Sequence, residues 1–172
     1  MPALITTPRL LSIGGGALGE LPALMMRLGV RHPLIVTDPF IAGCGVLDQA
    51  TSLLAGAGMA WGVFQDTVSD PTTEVIGIGV ARLAEAPYDS LVAIGGGSPI
   101  DTAKGMSVLH ANGGQMRDYK VPNDIPKIGL PIIAIPTTAG TGSEVTRFTV
   151  ITDTETDEKM LIAGLACCPT AA

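Results

Sequence analysis

"LVAIGGGSPIDTAK", residues 91–104, is an aliphatic run that stops at three glycines and restarts as Ser98, Pro99, Asp101 and Lys104. The first part has the make-up of a strand buried on both faces, and the part after the glycines reads as a helix start. A bare backbone between strand and helix lets N–H groups approach an anion, and the helix N-terminus adds about half a positive charge. Gly95, Gly96 and Gly97 remove the side chains that would block a diphosphate. Ser98 is placed to cap the helix or donate its hydroxyl, and Pro99 falls at the first helical position. Asp101 completes a Ser-x-x-Asp capping-box spacing. A tight, well-capped turn with no ligand is the alternative, although three consecutive glycines exceed what capping requires.

Outward from this stretch the pattern alternates. "LIV" at 34–36 reads as a strand ending in Thr37-Asp38-Pro39, with a helix from about 41 to 54. "AWGVF" at 60–64 is a short strand, 69–86 a turn then a helix, 90–94 a strand, 98–110 a helix and 131–135 a strand. Such alternation predicts an α/β fold, a Rossmann-like parallel sheet with helices on both faces. Residues 111–130 read as a surface loop, and 149–153 with 159–164 as a β-hairpin.

Two further segments compete for attention. "SIGGGALGEL" at 12–21 matches Gly-x-Gly-x-x-Gly letter for letter at Gly14, Gly16 and Gly19. That fingerprint counts only inside a strand–helix–strand unit with an acid about 20 positions on. Asp38 supplies the acid, but the segment before the glycines is short. A carboxylate closing a strand accepts hydrogen bonds from an adenosine ribose and repels a 2′-phosphate; an ordinary Asp-Pro turn is the other reading of Asp38. "IPTTAGTGSEVT" at 135–146 places Thr137, Thr138, Thr141 and Ser143 around two glycines after a buried strand. Hydroxyls interleaved with glycines suit the phosphate and ribose parts of a dinucleotide, and a helix-capping loop is the plainer reading.

Composition removes other classes. Hydrophobic content is 47%, charged content 15% and net charge −6, so the 172 residues suit one globular domain. Ten Lys plus Arg make no basic stripe and aromatics are 3%, which argues against nucleic acid as a partner. No apolar run reaches the roughly 18 residues of a membrane span. "MPALITTPRL" at 1–10 lacks the basic-then-apolar order of a signal peptide and the three cysteines form no Cys-x-x-Cys, so a cytoplasmic location is the default expectation; His32 and His110 stand apart without a ligand motif.

"GGGSPIDTAK" and "PTTAGTGSEVT" together resemble the iron-containing (group III) alcohol dehydrogenases. The likeness runs the length of the chain: "GGGALGELPALMMRLGVRHPLIVTD" is similar to the family's first strand–helix–strand, "VSDPTTEVI" to its Asp-Pro-Thr turn and "VITDTETDEKMLI" to its hairpin with a lysine. The resemblance implies that Gly96, Gly97 and Ser98 cradle the diphosphate of NAD and that Asp38 faces the adenosine ribose. It further implies that Thr137, Thr138 and Thr141 line the cofactor, that Asp70 lies in a turn beside it, and that Lys159 reaches the nicotinamide-side ribose. Asp101 belongs to the same cofactor loop, and the glycines at 14–19 become the fold's first turn.

The same resemblance implies a metal, commonly Fe²⁺, held by an Asp and three His of an all-helical second domain. Nothing here matches those ligands, so residues 1–172 read as the N-terminal dinucleotide-binding half of a longer enzyme, inactive alone. The expected substrate is a small-molecule alcohol or aldehyde, with a homodimer formed through the N-terminal segment "ALITTPRLLSI". The apolar stretch "LIAGLACCPTAA" at 161–172 is expected to be left as an exposed patch. A glycerol dehydrogenase-like or dehydroquinate synthase-like chemistry and a non-catalytic dinucleotide-binding or assembly module remain the alternatives.

Overall fold

Four short apolar segments pair in parallel at the centre of the computed structural model, which describes residues 6–172. In chain order the elements are α1 (Leu21–Leu28), β1 (Pro33–Val36), α2 (Pro39–Gly43), α3 (Val46–Gly56), β2 (Gly62–Phe64) and α4 (Thr73–Leu83). Then come β3 (Ser90–Gly95), α5 (Gly97–Asn112), β4 (Ile132–Pro136) and the hairpin strands β5 (Phe148–Asp153) and β6 (Glu158–Ala163). The sheet order is β2-β1-β3-β4, with Leu34 opposite Gly62 and Leu91, and Val92 opposite Ile133. This is the expected Rossmann-like arrangement.

Alternation along the strands divides the core. Leu34, Val36, Leu91, Ala93, Ile132 and Ala134 face one layer, where they pack with residues of α4 and α5. Ile35, Val92, Ile94 and Ile133 face the other, against α1, α2 and α3. Helix α5 is buried nearly all round, from Pro99 to Val108 apart from Asp101, because the hairpin covers the side away from the sheet. It lies close to α4: a Cβ added at Gly79 would stand 2.6 Å from Met106 Sδ, and one at Gly105 2.7 Å from Ile76 Cδ1.

Several local expectations need correcting. The helix expected over 41–54 is two helices: α2 is capped by Asp38, whose carboxylate accepts from the Ile41 N–H at 2.9 Å, and the chain breaks at Cys44–Gly45. The turn and helix expected over 69–86 do form, α4 starting at Thr73 with Thr72 as its cap, the hydroxyl accepting from the Val75 N–H at 3.3 Å. From Ala166 on, the apolar C-terminal stretch is not an open patch, while Leu161 and Leu165 are exposed as expected. Thr170 and Ala171 donate to the Ile132 carbonyl, Ala171 accepts from Ala134, and Ala172 exchanges hydrogen bonds with Leu10 and Ser12. The tail therefore lies between β4 and residues 9–12, with Ala166, Cys167 and Ala171 buried. Pairing with a second subunit was expected of a segment whose first residues, up to position 5, lie outside the described residues; residues 9–12 pair with the chain's own tail.

Candidate cofactor site

In a parallel sheet the carboxyl ends of the strands converge on one edge, and ligands bind where the strand order reverses. Here that point lies between β1, which leads on to β2 at one side, and β3, which leads on to β4 at the other. A cleft of about 510 Å³ opens there, lined by Asp38, Gly96, Gly97, Ser98, Thr137 and Thr138, together with Ser69 and an apolar group. Six residues chosen from three separate stretches of sequence thus meet in one place.

The glycines divide the work. Gly95 has φ +150°, and a Cβ on it would lie 2.5 Å from Pro99 Cγ, so this position makes the turn out of β3. Gly97, the first residue of α5, is tolerant by comparison: a Cβ there would meet Ser143 Oγ at 3.5 Å and Thr141 at 3.6 Å. Its bareness keeps open the gap between the glycine loop and the hydroxyl-bearing loop after β4. That second loop is tied back by the Thr137 N–H, which donates to the Gly95 carbonyl at 2.8 Å.

The expected capping box does not form. Gly96 is the N-cap, no side chain caps α5, and Pro99 is the third helical residue instead of the first. The start of α5 thus has no side-chain cap, and Gly96, Gly97 and Ser98 line the cleft. Asp101 turns instead toward the hairpin, accepting from the Val150 N–H at 3.2 Å, and its other carboxylate oxygen is buried without a hydrogen bond. Burial pushes the Asp101 carboxyl above the usual range, partly offset by Lys104. Thr141 lines a neighbouring depression with Asp101, Ser143 and Thr149. Asp70, at φ +53°, forms an exposed ion pair with Lys159 at 3.0 Å, outside the lining of the cleft.

Lys104 is the residue that sequence reasoning missed. Its side chain is fully buried, and its Nζ donates to the carbonyls of Phe148 at 2.7 Å and Thr146 at 3.1 Å. It therefore fastens the helix after the glycine loop to the end of the hydroxyl-bearing loop. Desolvation lowers its pKa, and Asp101, 4.0 Å away, pulls it partly back. One charge among the apolar residues of "AKGMSVL" was the available signal.

A larger cavity of about 710 Å³ lies beside the letter-perfect fingerprint, lined by Gly14, Gly16, Leu21, Leu24, Ile133 and Ile135 among others. Its lining suits a phosphate less well than that of the cleft. The glycines lead into a 3-10 turn over Ala17–Glu20, with no side-chain cap. Glu20 and Glu144 are the charged groups of that lining, and both would repel a diphosphate. The cavity at Gly96–Ser98 carries one acid, Asp38, on the β1 side of the glycine loop.

The cysteines are free: Cys44 is exposed at the cleft, and burial pushes the Cys167 thiol up to about 12. Among the described residues no three His, Cys, Asp or Glu side chains gather as a metal would require. His32 packs on Tyr88 with ring centroids 4.8 Å apart. No helix is long and apolar enough to cross a membrane among the described residues.

Comparison with known proteins agrees with this fold. The chain is 38% identical over 160 residues to the NAD-dependent methanol dehydrogenase of Bacillus methanolicus, covering 93% of this chain and 42% of that protein. The crystal structure of 1,3-propanediol oxidoreductase superposes with a TM-score of 0.95 at 30% identity, over 99% of this chain and 45% of that one. The sulfoacetaldehyde reductase of Bifidobacterium kashiwanohense, solved in complex with NAD+, gives 0.89 at 29% identity, over 100% and 46%. The chain thus spans less than half the length of the proteins it matches. The family model for iron-containing alcohol dehydrogenases matches residues 8–172, and the chain belongs to that family.

Proposed function

We propose that this chain binds NAD across the carboxyl ends of β1, β3 and β4, and so supplies the cofactor half of a metal-dependent alcohol dehydrogenase. The observation that carries the reading is the convergence of Asp38, Gly96, Gly97, Ser98, Thr137 and Thr138 on one cleft at the point where the strand order reverses. The cradle fits the group, because the uncapped start of α5 offers N–H donors to a diphosphate and Gly97 leaves room for it. Asp38 spends one carboxylate oxygen on the Ile41 N–H, which leaves the other to accept from ribose hydroxyls. Thr137 and Thr138 bring hydroxyls to the opposite wall, and Thr141 stands beyond Gly97. Lys159, held at the surface by Asp70, is the cation assigned to the nicotinamide-side ribose.

NAD, when bound, accepts the hydride of an alcohol. The residues of this chain orient and hold the cofactor. They do not fit the family's metal, since the described residues gather no suitable donor set. We therefore assign Fe²⁺ or another divalent metal, and the groove for a small-molecule alcohol or aldehyde, to the portion of the relatives' length that this chain does not span. The reading includes a cytoplasmic homodimer, for which exposed Leu11 and Ile13 offer apolar contact surface.

Calorimetric titration of NADH and NADPH into the chain and into Asp38→Gly tests the assignment. The expected result is NADH preferred about tenfold or more, with the two cofactors brought within about threefold by the substitution, since the carboxylate repels a 2′-phosphate. Equal affinities in the unsubstituted chain would overturn it.

A further inference from the structure

The cleft is polar on one side and apolar on the other. The segments after β3 and β4 contribute Gly96, Gly97, Ser98, Thr137 and Thr138. Those after β1 and β2 contribute Phe40, Ile41, Cys44, Val46 and Val68. Asp38 follows β1, the strand beside β3, and so stands where the two halves meet. Apolar wall, carboxylate and glycine loop follow one another across the sheet edge in the order of a base, a ribose and a diphosphate.

Within the apolar wall Phe40 is distinctive. It is 77% exposed, on a short helix whose backbone is set by Pro39 and by the Asp38 cap. The other exposed aromatic of the described residues, Phe148, has the Arg147 guanidinium 5.7 Å from its ring centroid, and Tyr88 has His32. Neither a cation nor an aromatic ring among the described residues covers Phe40. Val68, also exposed, lines the same cleft. A flat ring held at the rim of a nucleotide cleft, two residues after the ribose carboxylate, has the chemistry of a stacking surface.

We propose that Phe40 is the platform on which the adenine ring of the cofactor stacks. This rests on the cofactor reading above. Stacking of a base on an aromatic side chain is worth about 1–3 kcal/mol by alanine substitution, so removing the ring should weaken adenine nucleotides about tenfold or more. Because the side chain is largely exposed, its replacement should leave folding intact.

The experiment titrates NADH, ADP and UDP into the chain and into Phe40→Ala, Phe40→Leu and Phe40→Tyr, with thermal melts of each. Expected are dissociation constants for NADH and ADP raised about tenfold in F40A, a smaller rise for UDP, little recovery in F40L and near-full recovery in F40Y. An F40A variant that melts normally and binds ADP as the unsubstituted chain does would overturn the proposal. So would full recovery in F40L, which would mean apolar cover without stacking. Failure of the unsubstituted chain to bind either NADH or ADP would overturn both this proposal and the cofactor reading beneath it.

Discussion

Gly97→Val separates the two glycine loops. The added Cβ would sit 3.5 Å from Ser143 Oγ and 3.6 Å from Thr141, which is ordinary contact, and the backbone at Gly97 is already helical. Folding should therefore survive. The two methyls beyond that Cβ fill the gap that a diphosphate needs, and they screen the first N–H groups of α5. Two charge-assisted hydrogen bonds at about 1.5 kcal/mol each amount to ~3 kcal/mol, or roughly a hundredfold in affinity. Gly16→Val is the matched control. Gly16 has φ +84° with nothing within 4 Å, so valine there costs about 1–2 kcal/mol of backbone strain and blocks no ligand. Its melting temperature should fall by roughly 2–8 °C, with NADH affinity unchanged. Isothermal titration of NADH and differential scanning calorimetry on both variants read the two quantities. Normal NADH binding by folded G97V, with binding lost in G16V, would place the dinucleotide on the other loop.

Two further outcomes follow from the packing. Lys104→Met leaves the carbonyls of Thr146 and Phe148 without their buried donor and should lower stability by about 3 kcal/mol in urea melts. Burial holds the Lys104 pKa below its unfolded value, so the folded chain binds fewer protons between the two values. Unsubstituted protein should then gain stability over K104M as pH rises from the lowered value toward the usual lysine range, and a gap that narrows instead would contradict this. Gly129→Ala places a Cβ 2.2 Å from the Ser107 carbonyl oxygen, and a loss of about 1–3 kcal/mol in the same melts is expected. A neutral result would mean that the loop after α5 shifts freely.

The strand–loop–helix at 90–112 was legible because β3 is apolar at nearly every position and its glycines have a chemical reason to be there. The hairpin was legible from two short alternating segments around a polar turn. Other features depend on partners far along the chain. Asp101 reads as a cap locally, yet its partner Val150 is 49 residues away, and Lys104 answers carbonyls 42 and 44 residues on. The tail at 170–172 looked unfinished because its apolar residues find β4 and residues 9–12 only once the sheet exists. The fingerprint at Gly14–Gly19 shows the opposite failing: its letters match, but a 3-10 turn follows and the adjoining cavity is lined by two carboxylates, Glu20 and Glu144. Phe40 carried no local signal, since an exposed aromatic gains meaning only from the cleft it borders.

The central claim is that a dinucleotide lies over Gly96–Ser98 and not over Gly14–Gly19. Amide chemical-shift mapping of the 15N-labelled chain during an NADH titration tests it most directly, because each glycine reports for its own backbone. The largest shifts are expected at Gly96, Gly97 and Ser98, with further shifts at Thr137, Thr138 and residues next to Asp38. Largest shifts at Gly14, Gly16 and Gly19, with the Gly96–Ser98 amides unmoved, would contradict it.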